Sequence, residues 1–477
     1  MNYRFCYVLL PVRITFFCTL ALLLGACGDI GDKPDLAIEN VTVIDAVNGV
    51  RENQRVVIDG DQIVSVSAMA VERSAFETID GTGQFLIPGL WDMHVHFLYD
   101  PALSEVMAPM FLKYGITSVR DTGGEIDRLV NLRERIRASG EPAPGIYISG
   151  PLLDGKFVVY DGAVPAQPKL GTGVPDTESA RRKVRELKEA GADFIKIYEL
   201  IQPDVYSVLV DEAGVQGLPI ASHVPLMMTA DSAGPMAGSM EHLRNLELAC
   251  AKNWKELLDI RQVKISAFEE GRGYELRRDL HSLQRIPAIQ AYDETRCNSV
   301  LDTLGNTIQV PTLRLNTVQM LVPDRRPDWA DALSILPVEV QKRWLDQLDL
   351  LKPGLPEMDH TFAMWSLFLV SRLQEQGVPI GAGTDTPIGW GLPGYSLHTE
   401  LEMLVSAGLS ETQALYAATV QPARFFGLES EMGQIQAGMR ADLVLLDANP
   451  LVNITNTRRI HGVVVKGQWV VGAEQSD

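Results

Sequence analysis

Between Leu86 and Asp385 eight short apolar runs recur, and several are followed by a segment of helical character. They are the run before His94, Gly115–Asp121, Gly145–Gly150, Asp193–Glu199, Leu218–Val224, Gly238–Leu243, Ile308–Leu315 and Val378–Asp385. Helices are expected over Glu125–Ser139 and Glu178–Ala190, and after the last run from Ser410-Glu411-Thr412-Gln413, whose residue types match a capping box. Repeated strand–helix alternation builds a parallel sheet, because a parallel partner is reached only through a long crossover. Eight repeats favour a closed (β/α)8 barrel over an open doubly wound sheet. The fold class is therefore α/β.

The ends of the chain are patterned differently. Residues 35–88 alternate apolar and polar in LAIENVTVID, QRVVIDGDQIVSVS and QFLIP, and residues 429–477 return to that style in QIQAGMRADLVLLD and IHGVVVKGQWVV. A small β-sandwich-like domain assembled from both termini is expected, enclosing a barrel over 89–428. Segments 244–307 and 316–377 exceed simple crossovers and look helical and charged. Lying on βα connections, they are either a lid or substrate wall over the carboxyl-terminal face, or elaborated outer helices.

Arg4 and Arg13 precede an uncharged apolar stretch, Ile14 to Leu24, and then Leu24-Gly25-Ala26-Cys27. This is the pattern of a secretory signal over 1–26. The last four residues resemble the bacterial lipobox, which implies a chain lipidated on Cys27, a linker over 27–34 and attachment to a membrane. Gly28 in place of Asp points to the outer membrane, facing the periplasm. The net charge of −19 becomes more negative once the signal is removed, since it carries two arginines and no acid. Such a surface repels nucleic acid and offers anionic lipid no basic patch. Cys250 and Cys297 sit in helix-like sequence and read as buried free thiols, although an oxidising compartment would allow them to pair.

The chain has only eight histidines, and two are His94 and His96, at the end of the first barrel run. Side chains at i and i+2 of a strand share a face, so both imidazoles would point into the barrel mouth. Two neutral imidazoles make good ligands for a divalent metal. Lys196, His223, His242 and Asp385 end later runs and would emerge on the same rim. Tyr198 shares the face of Lys196 and is either a substrate contact or a packed core tyrosine. Asp92 would orient a ligand or hold a turn. Arg120 could meet a substrate carboxylate or form a structural ion pair. His398, after the eighth run, is a candidate substrate contact of open role, and nothing ties His281, His360 or His461 to the site.

In order along the chain, PGLWDMHVH, GITSVRDTGG, GADFIKIY, ASHV, SMEHL, GTDTP, HTELEMLVSAG, ALYAATVQPARFFGL and GQIQAGMRADLVLLDANP resemble the amidohydrolase superfamily, in the branch of imidazolonepropionases and Xaa-Pro or Xaa-Arg dipeptidases. The resemblance runs from about Leu36 to Trp469. It implies two divalent metal ions, zinc by default, with His94, His96 and Asp385 on the more buried ion and His223 and His242 on the other. Lys196, carboxylated to a carbamate, would bridge them. A metal-bridging hydroxide would then attack an amide carbonyl, with Asp385 as base and later acid. The substrates implied are small: dipeptides, N-acyl amino acids or cyclic amides. The same residues would serve a lactone or phosphotriester hydrolase, and a non-catalytic binding lipoprotein is a reading from another class.

Overall fold

The computed structural model describes residues 34–68, 75–164 and 167–471. The expected signal peptide, Cys27 and all but the last residue of the linker lie outside the described residues.

Seven of the eight expected barrel runs form regular strands: Leu90–Val95, Ile116–Asp121, Gly145–Ile148, Ile195–Ile197, Ile220–Ser222, Ser239–Glu241 and Ile308–Val310. Neighbours along this order pair in parallel. The third strand meets the fourth through its continuation Leu152–Asp154 and through Asp193 N–H donating to the Ile148 carbonyl. The eighth run and the residue after it make only isolated bridges, Ile380 with Gln309 and Thr386 with Val95. It nonetheless closes the ring: Gln309 N–H donates to Pro379 O at 2.8 Å, Met93 N–H to Ala382 O at 2.9 Å and Asp385 N–H to His94 O at 2.7 Å. Gly383 permits this approach, because a Cβ there would stand 2.6 Å from Val310 Cγ1 and 2.9 Å from His94 Cβ.

The helices follow their sequence signals. Ile126–Ala138 and Thr177–Glu189 lie where the periodicity placed them. Helix Glu411–Phe426 starts at a reciprocal capping box between Ser410 and Gln413, which satisfies two otherwise orphaned backbone N–H groups. Its apolar face, including Ala414, Leu415 and Ala418, is buried in the main core.

Both termini contribute to one eight-stranded sheet. Gln468–Val471, Ile460–Val465, Leu443–Leu446, Phe85–Pro88, Leu36–Asp45, Gly49–Asp59 and Gln62–Ala68 are neighbours in that order, and Glu77–Asp80 pairs beside Leu36–Asp45. The sheet curls on itself, since Ile63 N–H donates to Met439 O and Ala441 N–H to Asp61 O, each at 2.8 Å. It encloses its own core of Ile38, Val43, Val56, Ile58, Leu443 and Leu445. Each such side chain contributes about 1.5–3 kcal/mol on burial. Only Gly89 separates strand Phe85–Pro88 from the first barrel strand, so the two parts join without a linker.

The long connection after the sixth strand carries helices Trp254–Ser266, Gly273–Gln290 and Glu294–Asp302, and the one after the seventh carries Val338–Leu351 and Thr361–Glu375. Cys250 and Cys297, expected as free thiols, are joined in a disulfide. Helix Glu294–Asp302 packs back against the start of the connection and brings the two Cα atoms to 4.2 Å, a separation helical propensity does not encode.

Candidate metal centre

The period-two backbone of the first strand places His94 and His96 on one face, 1% and 4% exposed. Their rings begin a contiguous run of four imidazoles. His94 and His96 have centroids 5.2 Å apart, His94 and His242 4.5 Å, and His242 and His223 4.8 Å. Asp385 closes the group, its Oδ1 3.2 Å from His94 Nε2 and 3.1 Å from His96 Nε2. His242 and Asp385 both sit at the end of a barrel run with left-handed backbones, φ 64° and 61°. Non-glycine residues adopt that conformation at a cost, which surrounding structure must enforce.

Each of three imidazoles is fixed through its Nδ1. His94 Nδ1 meets Glu241 Oε2 at 2.6 Å, His223 Nδ1 meets Glu199 Oε1 at 2.8 Å and His242 Nδ1 meets Thr312 Oγ1 at 2.7 Å. A carboxylate only accepts, so Nδ1 of His94 and of His223 carries the proton and Nε2 keeps its lone pair. Burial, reinforced by Lys196, pushes the His223 imidazole down to about 3. It therefore stays neutral, as a metal ligand must.

Lys196, on the fourth barrel strand, is wholly buried. Its Nζ has no hydrogen-bond partner, and its nearest carboxylate oxygen is Glu241 Oε1 at 3.8 Å. Burial pushes the ammonium down to about 7 against the pull of Glu241. Burial opposes ionisation of Asp385 as well, but the imidazoles of His242 and His94 hold it well below the usual carboxylate range. An orphaned buried amine, a buried carboxylate and four clustered imidazoles are a donor set that divalent cations would satisfy. Among the described residues, His94, His242 and Asp385 bring ligand atoms within 4.8 Å of one another.

Sequence reasoning missed the groups behind these side chains. Glu241 is fully buried and joins His94 to Arg120, and Glu199 joins His223 to a second cluster. Glu241 ends its strand directly before His242, and Glu199 follows Tyr198 just past the fourth strand; that adjacency to candidate site residues was the available signal. The guanidinium of Arg120, a candidate for a substrate carboxylate, is committed within the barrel. It donates to Met93 O at 2.5 Å, to Ser239 Oγ at 2.9 Å and to Glu241 Oε1 at 2.7 Å. Its span from second to sixth strand crosses the barrel interior and makes it structural. His398 is likewise turned away from the site. Its Nε2–H donates to the Tyr114 carbonyl at 2.9 Å and its Nδ1 meets Thr457 Oγ1 at 2.8 Å, which pins its helix to the segment before the C-terminal strands. Asp92 accepts from His94 N–H and from the Thr384 backbone and hydroxyl, binding the first strand to the eighth.

Tyr198 stays at the centre, its ring 4.4 Å from that of His223. His281, which carried no signal, enters from helix Gly273–Gln290 with Nε2 at 2.6 Å from Glu199 Oε2. The connection 244–307 is therefore a wall of the site. A cavity of about 430 Å³ lies along it, lined by Tyr274, Arg277, His281, Arg285, Asn316 and His360 among others. Asn316 also donates to the His242 carbonyl at 3.0 Å, which puts this cavity beside the second pair of histidines.

Comparison with known proteins bears on the fold. An adenine deaminase of Rhizobium etli is 32% identical over 148 residues, 29% of this chain but only 25% of that protein, so the match spans about a quarter of its length. An imidazolonepropionase of Rubrobacter xylanophilus is 25% identical over 396 residues, 78% of each chain. A crystal structure of a Xaa-Pro dipeptidase with bound methionine in the active site superposes with a TM-score of 0.66 at 19% identity, covering 92% of this chain and 100% of that one. The structure of a bottromycin amidohydrolase does so with 0.66 at 20%, covering 91% and 87%. Residues 369–470 match the amidohydrolase family model, and the whole described chain takes the fold of these structures, a (β/α)8 barrel with a β-rich domain.

Proposed function

We propose that this chain is a hydrolytic enzyme, a binuclear metal-dependent hydrolase that cleaves the carbon–nitrogen amide bond of a small substrate such as a dipeptide, an N-acyl amino acid or a cyclic amide. The observation that carries it is the orphaned, buried Lys196 Nζ, within electrostatic reach of Asp385 and of His223, which belongs to the run of four imidazoles. Carboxylation answers that arrangement. A bond forms between Nζ and the carbon of carbon dioxide, one proton leaves, and the product is anionic with two oxygen ligands. His94, His96 and Asp385 would hold one ion, His223 and His242 the other, and the Lys196 carbamate both. When bound, the ions, zinc by default, supply Lewis acidity that lowers the pKa of water and polarises a carbonyl.

The chain's own groups complete the chemistry. An Asp385 carboxylate oxygen takes a proton as water adds to the carbonyl carbon, and returns it to the departing nitrogen as the carbon–nitrogen bond breaks. Burial drives the Tyr198 phenol well above its ordinary range, so it stays protonated and able to donate to the developing oxyanion. The lipobox-like Leu24-Gly25-Ala26-Cys27 supports attachment through lipid on Cys27, with the enzyme at the outer membrane facing the periplasm.

The deciding experiment is metal content per chain after expression with zinc and bicarbonate. Close to two equivalents, falling sharply in Lys196→Ala, is the expected result. One equivalent that Lys196→Ala leaves unchanged would replace this reading with a mononuclear enzyme. Amide, lactone and phosphotriester panels on the same preparation then test the bond cleaved, and a lactone or phosphotriester preference would overturn the amide assignment.

A further inference from the structure

Hydrogen bonds converging on the Glu199 carboxylate link the helix Gly273–Gln290 to His223. Arg285 Nη2 lies 3.0 Å from His281 Nδ1, and a guanidinium can only donate. His281 Nδ1 is therefore the acceptor, which leaves the proton of the neutral ring on Nε2. That Nε2–H donates to Glu199 Oε2 at 2.6 Å. Arg277, one helical turn before His281 and so on the same face, donates to Glu199 Oε1 at 2.9 Å. The same Oε1 accepts from His223 Nδ1 at 2.8 Å. Glu199 is wholly buried, and in these contacts both of its oxygens accept, as an ionised carboxylate does.

We propose that Arg277 and His281 are positioning residues for the second metal position: through Glu199 they fix the tautomer and ring orientation of His223, so that filling this position depends on the helix Gly273–Gln290. The inference rests on the binuclear reading above. Its basis is the contrast between the two halves of the centre. His94 is supported by Glu241 and Arg120 from the barrel strands themselves, whereas the carboxylate behind His223 is held by a helix from a connection outside the barrel. That helix is anchored in turn over the third-strand loop. Arg272, just before it, donates to Asp161 Oδ1 at 3.1 Å and Gln167 Oε1 at 2.9 Å, and Gly273 packs directly on the Val158 backbone. Removing either donor leaves Glu199 with less to hold it in place and His223 free to rotate or to present the wrong nitrogen.

The test is zinc binding to the full chain by equilibrium dialysis and elemental analysis, with near-ultraviolet circular dichroism to certify folding. His281→Phe and Arg277→Met should retain one equivalent at wild-type affinity and bind the second about 10- to 100-fold more weakly. His281→Gln, whose amide can still donate to Glu199, should recover most of the second equivalent, and it decides the matter if the phenylalanine variant does not fold. Arg278→Ala, on the same helix but paired outward with Asp279, should bind two. Two equivalents at wild-type affinity in both His281→Phe and Arg277→Met would overturn the inference, as would equal weakening of both equivalents. A wild-type chain that binds fewer than two would overturn the binuclear reading itself, a result visible before any variant is made.

Discussion

Glu241 Oε1 lies 2.7 Å from Arg120 Nη2, and both side chains are completely buried. Glu241 turns its other oxygen to His94 Nδ1, so one ion pair supports the fold and a candidate ligand at once. A buried pair contributes little net stability against an apolar replacement, but losing one partner strands the other's charge. Arg120→Met should therefore destabilise the chain by about 3–5 kcal/mol, read as a lowered denaturant midpoint. A midpoint equal to wild type would show that Glu241 does not depend on Arg120.

Asp385 is assigned the proton transfer, and Asp385→Asn keeps the shape and an oxygen ligand while removing the base. Turnover on an amide substrate should fall by roughly 10²–10⁴-fold, with zinc content close to wild type. Unimpaired turnover would take Asp385 out of the mechanism.

Stability should carry the signature of His398. Burial, helped by Arg458, pushes this imidazole down to about 3, against 6.5 for an ordinary histidine. Protons then bind the unfolded chain and not the folded one. The contribution is complete above about pH 6.5 and disappears progressively as pH falls toward 3. From pH 6.5 to 5 this one group should cost about 1.5 kcal/mol. Denaturant unfolding of wild type and His398→Gln across that range measures the difference, and parallel pH profiles would contradict it.

Gly383→Ala would set a methyl group against Val310 and His94 where the eighth run closes on the first. Overpacking of this kind costs about 1–3 kcal/mol. Because the displaced neighbour is a candidate ligand, zinc affinity should fall with the denaturant midpoint. A fall in stability alone would mean that His94 keeps its place while Val310 yields.

The Cys250–Cys297 disulfide closes a loop with a sequence separation of 47. Replacing both cysteines by serine should cost about 2–4 kcal/mol. Since the loop contains helix Gly273–Gln290, limited proteolysis should cut there first in the variant. Equal protease resistance in the two proteins would separate the disulfide from the order of that helix.

The sequence alone determined the local part of the answer. Period-two alternation put His94 and His96 on one face, the end of an apolar run put Lys196, His223, His242 and Asp385 on one rim, and the strand–helix alternation made that rim the mouth of a barrel. These are properties of neighbouring residues, legible without knowing what lies across the molecule. Tertiary structure decided what stands behind each ligand. Glu241 reaches His94 across 147 positions, Thr312 reaches His242 across 70 and His281 reaches Glu199 across 82. Nothing in the local pattern distinguishes Arg120, a strand residue beside a plausible substrate site, from the cross-barrel tie it forms. The pairing of Cys250 with Cys297 and the turning of His281 inward arise from how the connection 244–307 packs back on itself. The reason is physical: a buried polar side chain must find a partner, and which partner is near is set by the closure of the barrel and the docking of its insertions.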